Sequence, residues 1–285
     1  MILMYVFVSP CILHPNLRAE GITSEEDLRV FSRAVSRCRE FGIEIRELPC
    51  PETLFFGTPR SPGPFVGRMD VPEFFSLMDS LEKDVREQMK DEKPLCIIGV
   101  NSSPTCGATK TYYTEEKSNG AGMFLKRFSD VPVVNVYDFA KYAIYFAAPL
   151  FSAGERAFNK EAASALKKLF YTVHLPQELD DDAESREENR ELMIYQKNLE
   201  ALKNADIVVG VIDGADADSG TAWEMGYASA LGKRVVALRT DFRRFSANEA
   251  VNLMLETEAE VCSSIEEVCG VLDPFGEMRR SVQGD

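Results

Sequence analysis

The sequence has no surplus of positive charge. Lys and Arg total 32 against 46 Asp and Glu, a formal net charge of −14. Broad contact with a nucleic-acid backbone needs basic surface, so nucleic acid is excluded as a main partner. Adsorption to an anionic membrane is disfavoured for the same reason, although a locally positive pocket for a small anion is compatible with this balance. No run reaches the roughly 18 apolar residues of a membrane-spanning helix. The apolar opening MILMYVFVSPC has no cationic segment before it and no A-x-A cleavage site after it. It therefore reads as a buried first strand and not as a secretory leader. No internal repeat of roughly 20–50 residues stands out, which excludes a solenoid or propeller. Seven cysteines is an odd count, and a chain of this size does not need disulfide staples. A reducing cytoplasm is the expected compartment, with the thiols as core residues, metal ligands or nucleophiles.

What is present is globular composition, 45% hydrophobic and 27% charged, in a length that suits one large domain or two ordinary ones. Apolar strands alternate with amphipathic helices. MYVFVSP reads as a strand ending at Cys11, and EEDLRVFSRAVSRCREF as a helix with Leu28, Phe31, Ala34, Val35 and Cys38 on its apolar face. IEIRELP is a second strand ending at Cys50, and the Gly- and Pro-rich PETLFFGTPRSPGPFVG reads as a loop. VPEFFSLMDSLEKDVREQM is a helix, PLCIIGVNSS a buried strand, and VPVVNVYDF closes the first half. A second series starts at KYAIYFAAPLF and continues through helices and strands to AEVCSSIEEVCGVL. The expected fold is therefore α/β, two Rossmann-like or flavodoxin-like domains with mainly parallel sheets, covering residues 1–140 and 141–285.

Cys11, Cys50 and Cys106 each follow a predicted strand. In a parallel sheet the carboxyl ends of the strands share one edge, where ligands bind. The topology thus brings three thiols to one rim, with Pro10, Pro49, Pro51 and Pro104 stiffening the turns. Three thiolates suit a soft metal or an iron–sulfur cluster and leave one iron of a cubane open. The bland alternative is three unconnected thiols, the reading that also fits Cys38 and Cys96.

SPCILHPNLRAEG, LPCPETLFFGTPRSP and SSPTCGATKTYY together resemble the three motifs of the thiouracil desulfidase family. The resemblance covers about the first half of the chain. It implies a 4Fe-4S cluster on Cys11, Cys50 and Cys106, with Glu52 and Ser103 as acid–base groups and a thiolated base as substrate. Thr105 stands where that family tends to have Ser. Arg60 reads either as an anchor for a base carbonyl or phosphate, or as a solvated loop charge.

In the second half, DIVVGVID feeds a loop carrying Asp213, Asp216 and Asp218, and a helix starts near Ser219 with Asp218 or Ser219 as its cap. Glu224 lies on that helix beside Trp223, the single tryptophan, and an apolar surround raises a carboxylate's pKa. Its alternative role is to cap or to pair with an arginine.

AIYFAAPLF, NLEALKNADIVVGVID, DSGTAWEMGYASALGKRVV and VNLM resemble the nucleoside 2-deoxyribosyltransferase family, over about residues 142–264. The resemblance implies that Glu224 is the nucleophile toward C1′, that Tyr145 orients it and that Asp218 helps protonate the leaving base. It implies substrate contacts from Ser219, Gly220 and Asn198, and from Asn252 and Met254 across a subunit interface, hence a homo-oligomer. Ala148 replaces a usual Gly. Asn198 stands where the family has Asp, and an amide cannot deliver a proton as an acid does. Arg243 and Arg244 read as grips for a 5′-phosphate or as local charge balance, and the acidic stretch 178–191 as a solvated loop or a lid.

Joined, the halves read as a bifunctional salvage enzyme for small thiolated nucleobases or nucleosides, with no nucleic-acid or membrane partner. The alternatives are an N-glycosidase or deoxyribosyltransferase with a structural or redox-sensing cluster domain, and a non-enzymatic nucleotide sensor.

Overall fold

A computed structural model describes residues 4–181, 190–243 and 251–275. The chain divides into two compact units, one built on Met1–Ala140 and the other on Lys141–Asp273. Both are α/β with mainly parallel sheets.

The first unit begins with β1 (Tyr5–Val8), α1 (Pro10–Leu13), α2 (Glu25–Glu40), β2 (Glu44–Glu47), α3 (Pro51–Phe56) and α4 (Pro72–Gln88). It continues with β3 (Ile97–Gly99), β4 (Lys110–Thr111), β5 (Ser118–Asn119), β6 (Val133–Asn135) and α5 (Val136–Phe139). The sheet order is β2-β1-β3-β6, all parallel. The chain thus steps from β1 to β2 on one side and to β3 on the other, so the strand order reverses around β1. Crevices for ligands open at the carboxyl ends of strands at such a point.

Helix α2 starts on a reciprocal cap in which Ser24 and Asp27 satisfy each other's backbone N–H, and it ends before Gly42 at φ 65°. Its buried side differs from the predicted one. Leu28 is exposed, and Arg37 is buried in its place, donating from Nη1 to the Phe139 carbonyl at 2.8 Å with its guanidinium 4.8 Å from the Phe139 ring centre. A buried cation is tolerated where its donors are satisfied, which residue spacing alone does not reveal. Two other expectations change. Part of the expected loop is helix α3, and β4 and β5 form a small antiparallel hairpin, strands too short and polar to give an apolar run. The core packs Tyr5, Phe7, Phe65, Phe74, Met78, Ile97, Phe124 and Phe128.

The second unit comprises β7 (Ala143–Ala147), α6 (Ala153–Lys168), β8 (Thr172–His174), α7 (Pro176–Asp181) and α8 (Arg190–Asn204). After these come β9 (Ile207–Val211), α9 (Ser219–Ala230), β10 (Arg234–Leu238), α10 (Leu253–Glu258), β11 (Glu260–Cys262) and α11 (Ile265–Leu272). The order β11-β10-β9-β7-β8 is again parallel throughout. Side chains alternate across β7. Ile144 and Phe146 join Leu166, Val209, Val236 and Leu272 on one face, while Tyr145 and Ala147 join Val208, Met225 and Ala237 on the other. Both faces are covered, as a parallel sheet requires. Of the acidic stretch, residues 182–189 lie outside the described residues, as does Arg244.

Candidate functional site

At the carboxyl ends of β1, β2 and β3 the first unit holds a cavity of about 660 Å³, and Cys11, Cys50 and Cys106 all line it. Cys11 sits in the first turn of α1, Cys50 caps α3, and Cys106 follows the loop after β3. That loop is held in an unusual course. Ser102 has φ 73°, and Asn101 Oδ1 accepts from the backbone N–H groups of Ala108, Thr109 and Lys110 at 3.1, 2.9 and 3.2 Å. A non-glycine residue in the left-handed region costs about 1–2 kcal/mol and persists only where neighbours fix it. Close packing continues behind it: a methyl group on Gly122 would lie 2.4 Å from the Thr105 carbonyl oxygen and 2.7 Å from the Cys106 nitrogen.

None of the three thiols is in a disulfide. Burial pushes the Cys11 thiol up to about 12, and the neighbouring Cys50 adds to the shift. Burial likewise raises Cys106, followed by Cys50 and Cys11. Cys50 thus lies near enough to Cys11 and Cys106 to disfavour their thiolate forms. Cys50 Sγ accepts from Thr53 Oγ1 at 3.1 Å and from Thr53 N at 3.4 Å, and Arg60 Nη2 lies 3.9 Å away. Among the described residues, no group of three or more His, Cys, Asp or Glu side chains is arranged around a single metal ion. Three thiols on one cavity are the donor type that iron–sulfur clusters use.

Glu52 also lines the cavity, on α3 rather than in a loop. Its Oε1 accepts from Thr105 Oγ1 at 2.7 Å and from Ser103 Oγ at 3.3 Å. Arg60 Nε lies 3.4 Å from Glu52 Oε2, while Nη1 donates to the Leu17 carbonyl at 2.6 Å and to Thr53 Oγ1 at 3.0 Å. Arg60 is thus neither a solvated charge nor a free anion grip; its side chain is 8% exposed and its donors serve the protein. Opposite lie residues the sequence did not flag. Arg18 pairs with Asp27 at 2.9 Å, and Tyr137 Oη donates to Asp27 at 2.9 Å. Ser9 is fully buried against the cavity, and its hydroxyl has no hydrogen-bond partner among the described residues. Ser9 lies in SPC and Arg18 in NLRAEG, near Cys11, while Asp27 and Tyr137 carry no motif signal.

In the second unit, Tyr145 is buried on β7 and donates from Oη to Glu224 Oε1 at 2.5 Å. Burial raises the Glu224 carboxyl above the ordinary range; the Tyr145 hydrogen bond opposes this and the charge of Asp218 adds to it. The partner of Glu224 is therefore a phenol and not an arginine. Trp223 stacks on Tyr227 at 5.1 Å and is half exposed. Asp218 is the cap of α9: its Oδ2 accepts from Thr221 N at 3.0 Å and from Thr221 Oγ1 at 3.3 Å. On the other side, His174 pairs with Tyr145 across β7 and β8, and the two rings stack at 5.3 Å. His174 Nε2 is 3.1 Å from Asn198 Oδ1. His174, one of two histidines, ends β8 and lies in no motif, so only strand pairing brings it to Tyr145.

Residues 144–264 match the protein family described as Nucleoside 2-deoxyribosyltransferase. The C-terminal region is a domain of this family. A curated relative, the uncharacterized protein UU063 of Ureaplasma parvum serovar 3, is 31% identical over 131 residues, spanning 41% of this chain and 82% of the relative. Among solved structures, the 2-deoxyribosyltransferase from the psychrotolerant bacterium Bacillus psychrosaccharolyticus is 30% identical, with 44% of this chain and 89% of that one covered and a TM-score of 0.38. The 2-desoxiribosyltransferase from Leishmania mexicana is 23% identical, with 46% and 97% covered and a TM-score of 0.39.

Within this deoxyribosyltransferase domain the remaining expected residues divide. Gly220 lies in the first turn of α9, where a methyl group would lie 3.1 Å from Asp218 Oδ2. Ser219, Asn252 and Met254 line a separate cavity of about 550 Å³ between α9 and α10, and neither Tyr145 nor Glu224 lines it. Asn252 caps α10, accepting from Met254 N at 3.0 Å, and Met254 is 73% exposed. Arg243 pairs with Asp241, which spends it on local charge balance.

Proposed function

We propose that the chain is a bifunctional salvage enzyme. Its C-terminal domain breaks an N-glycosidic bond, and its N-terminal unit removes sulfur from a thiolated pyrimidine. The first activity rests on one observation: in a deoxyribosyltransferase family domain, a half-buried carboxylate is held by a buried phenol. Tyr145 occupies Oε1 of Glu224 and leaves Oε2 to attack C1′. The C1′–N bond breaks, its electrons stay with the base, and a proton reaches the leaving nitrogen from the side of Asp218. Water or a second base then displaces the glycosyl group from Glu224, which is retaining chemistry. Rapid quenching and mass spectrometry should find the sugar on the peptide carrying Glu224. An unmodified peptide during turnover, or base release surviving Glu224→Ala, contradicts the assignment.

The second activity rests on three thiols sharing one cavity with Glu52. Cys11, Cys50 and Cys106 would hold a 4Fe-4S cluster, which supplies a Lewis acid for a thione sulfur when bound. Glu52, oriented by Thr105, Ser103 and Arg60, takes a proton from water as it adds to the carbon bearing sulfur. The carbon–sulfur bond then breaks, sulfide leaves, and a carbonyl remains, with no net oxidation or reduction. Sulfide release from thiouracil by the anaerobically reconstituted protein is the expected result. Its absence from both thiouracil and thiouridine contradicts this half of the reading.

A further inference from the structure

Two arginines line the thiol cavity, and the protein uses them differently. Arg60 spends its donors on Glu52, Thr53 and the Leu17 carbonyl. Arg18 has one polar partner among the described residues, Asp27, reached through Nη1 at 2.9 Å. A guanidinium carries five N–H donors in a planar fork, so most of those on Arg18 meet no protein acceptor. The group is nonetheless fixed. It lies 5.5 Å from the centre of the Phe31 ring, and Asp27 is itself held by Ser24 N at 2.8 Å, Ser24 Oγ at 2.9 Å and Tyr137 Oη at 2.9 Å. Asp27 and Tyr137 line the same cavity. The Arg18 side chain is only 11% exposed, so its unspent donors are largely desolvated. Leaving such a donor unmade costs about 1–3 kcal/mol, which a ligand acceptor would offset. The Cys11 thiol, pushed up by burial and by Cys50, is drawn down by the charge of Arg18, which puts the guanidinium within electrostatic range of that sulfur.

We propose that Arg18 is the substrate anchor of this cavity. Its unspent N–H groups bind an oxygen acceptor of the thiolated substrate, away from the carbon that bears sulfur, while Asp27 and Tyr137 hold the fork in place. A ring carbonyl and a 5′-phosphate present the same acceptor chemistry, and the test separates them. Arg18 thus takes the anchoring role that the sequence left open for Arg60. The inference rests on the desulfidation reading of this unit and names the residue that selects its substrate.

The test has a readout that needs no cluster and reports on this cavity alone. Full-length protein is alkylated with iodoacetamide before reconstitution, and modification of the Cys50 peptide is followed by mass spectrometry against rising uracil or uridine 5′-monophosphate. Both probes should protect Cys50. In Arg18→Met the midpoint of protection should rise about 10-fold, the loss of a charged hydrogen bond. Arg18→Lys keeps the charge beside Asp27 and loses the fork, so its midpoint should rise about 3-fold or more, and it reports on the anchor even where Arg18→Met does not fold. A rise with both probes assigns the ring carbonyl, and a rise with the monophosphate alone assigns the phosphate; either result supports the anchor. After anaerobic reconstitution, KM for the thiolated forms should rise by a similar factor, with kcat within about 2-fold. Midpoints that stay put in both variants, or no protection of the unmodified protein by either probe, overturn the inference. A fall in kcat at constant KM also overturns it. Protection that depends on Arg18 with no sulfide release overturns the desulfidation reading and leaves the anchor standing.

Discussion

At the scale of single residues, the Tyr145–Glu224 pair makes the sharpest statement. Burial holds the Glu224 carboxyl above its ordinary range, and the phenol's hydrogen bond pulls it back toward the anion that the proposed attack on C1′ requires. The acid limb of kcat/KM is therefore expected above the usual carboxylate range. Removing the phenol in Tyr145→Phe withdraws the group that lowers the pKa, so that limb moves to still higher pH. A hydrogen bond to a charged group contributes about 1.5–3 kcal/mol, which puts the loss in kcat/KM at about 10–100-fold. A pH–rate series on both proteins checks the direction and the size; a limb that stays put or moves to lower pH contradicts the assignment. In the first unit, Thr105 Oγ1 is the closest donor to Glu52. Thr105→Val should depress sulfide release about 10-fold, and Thr105→Ser should retain it, as single-turnover sulfide assays would show.

At the scale of elements, the strand–turn segments do most of the positioning. The loop after β3 is packed so closely on Gly122 that a single methyl group collides with the Thr105–Cys106 peptide. Gly122 is itself no proposed ligand, yet Gly122→Ala presses on the Cys106 backbone, so it should displace that thiol and cut iron uptake by at least half on anaerobic reconstitution. Iron analysis against the unmodified protein measures this. Helix α2 gives a stability prediction. Arg37→Met leaves the Phe139 carbonyl without its charged donor, a loss of about 1–3 kcal/mol, read as a lower urea midpoint. Much of this level was legible in sequence. Apolar runs alternating with helical periods place the β1, β3, β7, β9 and β10 strands, and the cap of α9 at Asp218 could be read from the turn before it. The short α3, the β4–β5 hairpin and the buried Arg37 were not, because each is set by contacts between residues distant in sequence and not by local period. The same holds for the site. Cys11, Cys50, Cys106, Glu52, Tyr145 and Glu224 could be named from motifs and strand ends. His174, Ser9 and the Arg18–Asp27–Tyr137 group emerge only once strands pair.

At the scale of the whole molecule, two units each carry their own core, and the two proposed chemistries fall one to each unit. Damage to one chemistry should therefore leave the other standing. Cys50→Ser changes a thiol of the first unit, and Glu224→Ala removes a carboxylate of the second. The most direct measurement gives the anaerobically reconstituted full-length protein a thiolated nucleoside and follows sulfide and free base in the same reaction. The account expects both products from the unmodified protein, base without sulfide from Cys50→Ser, and sulfide without base from Glu224→Ala. A single product from the unmodified protein, or loss of both products in either variant while it remains folded, would contradict it.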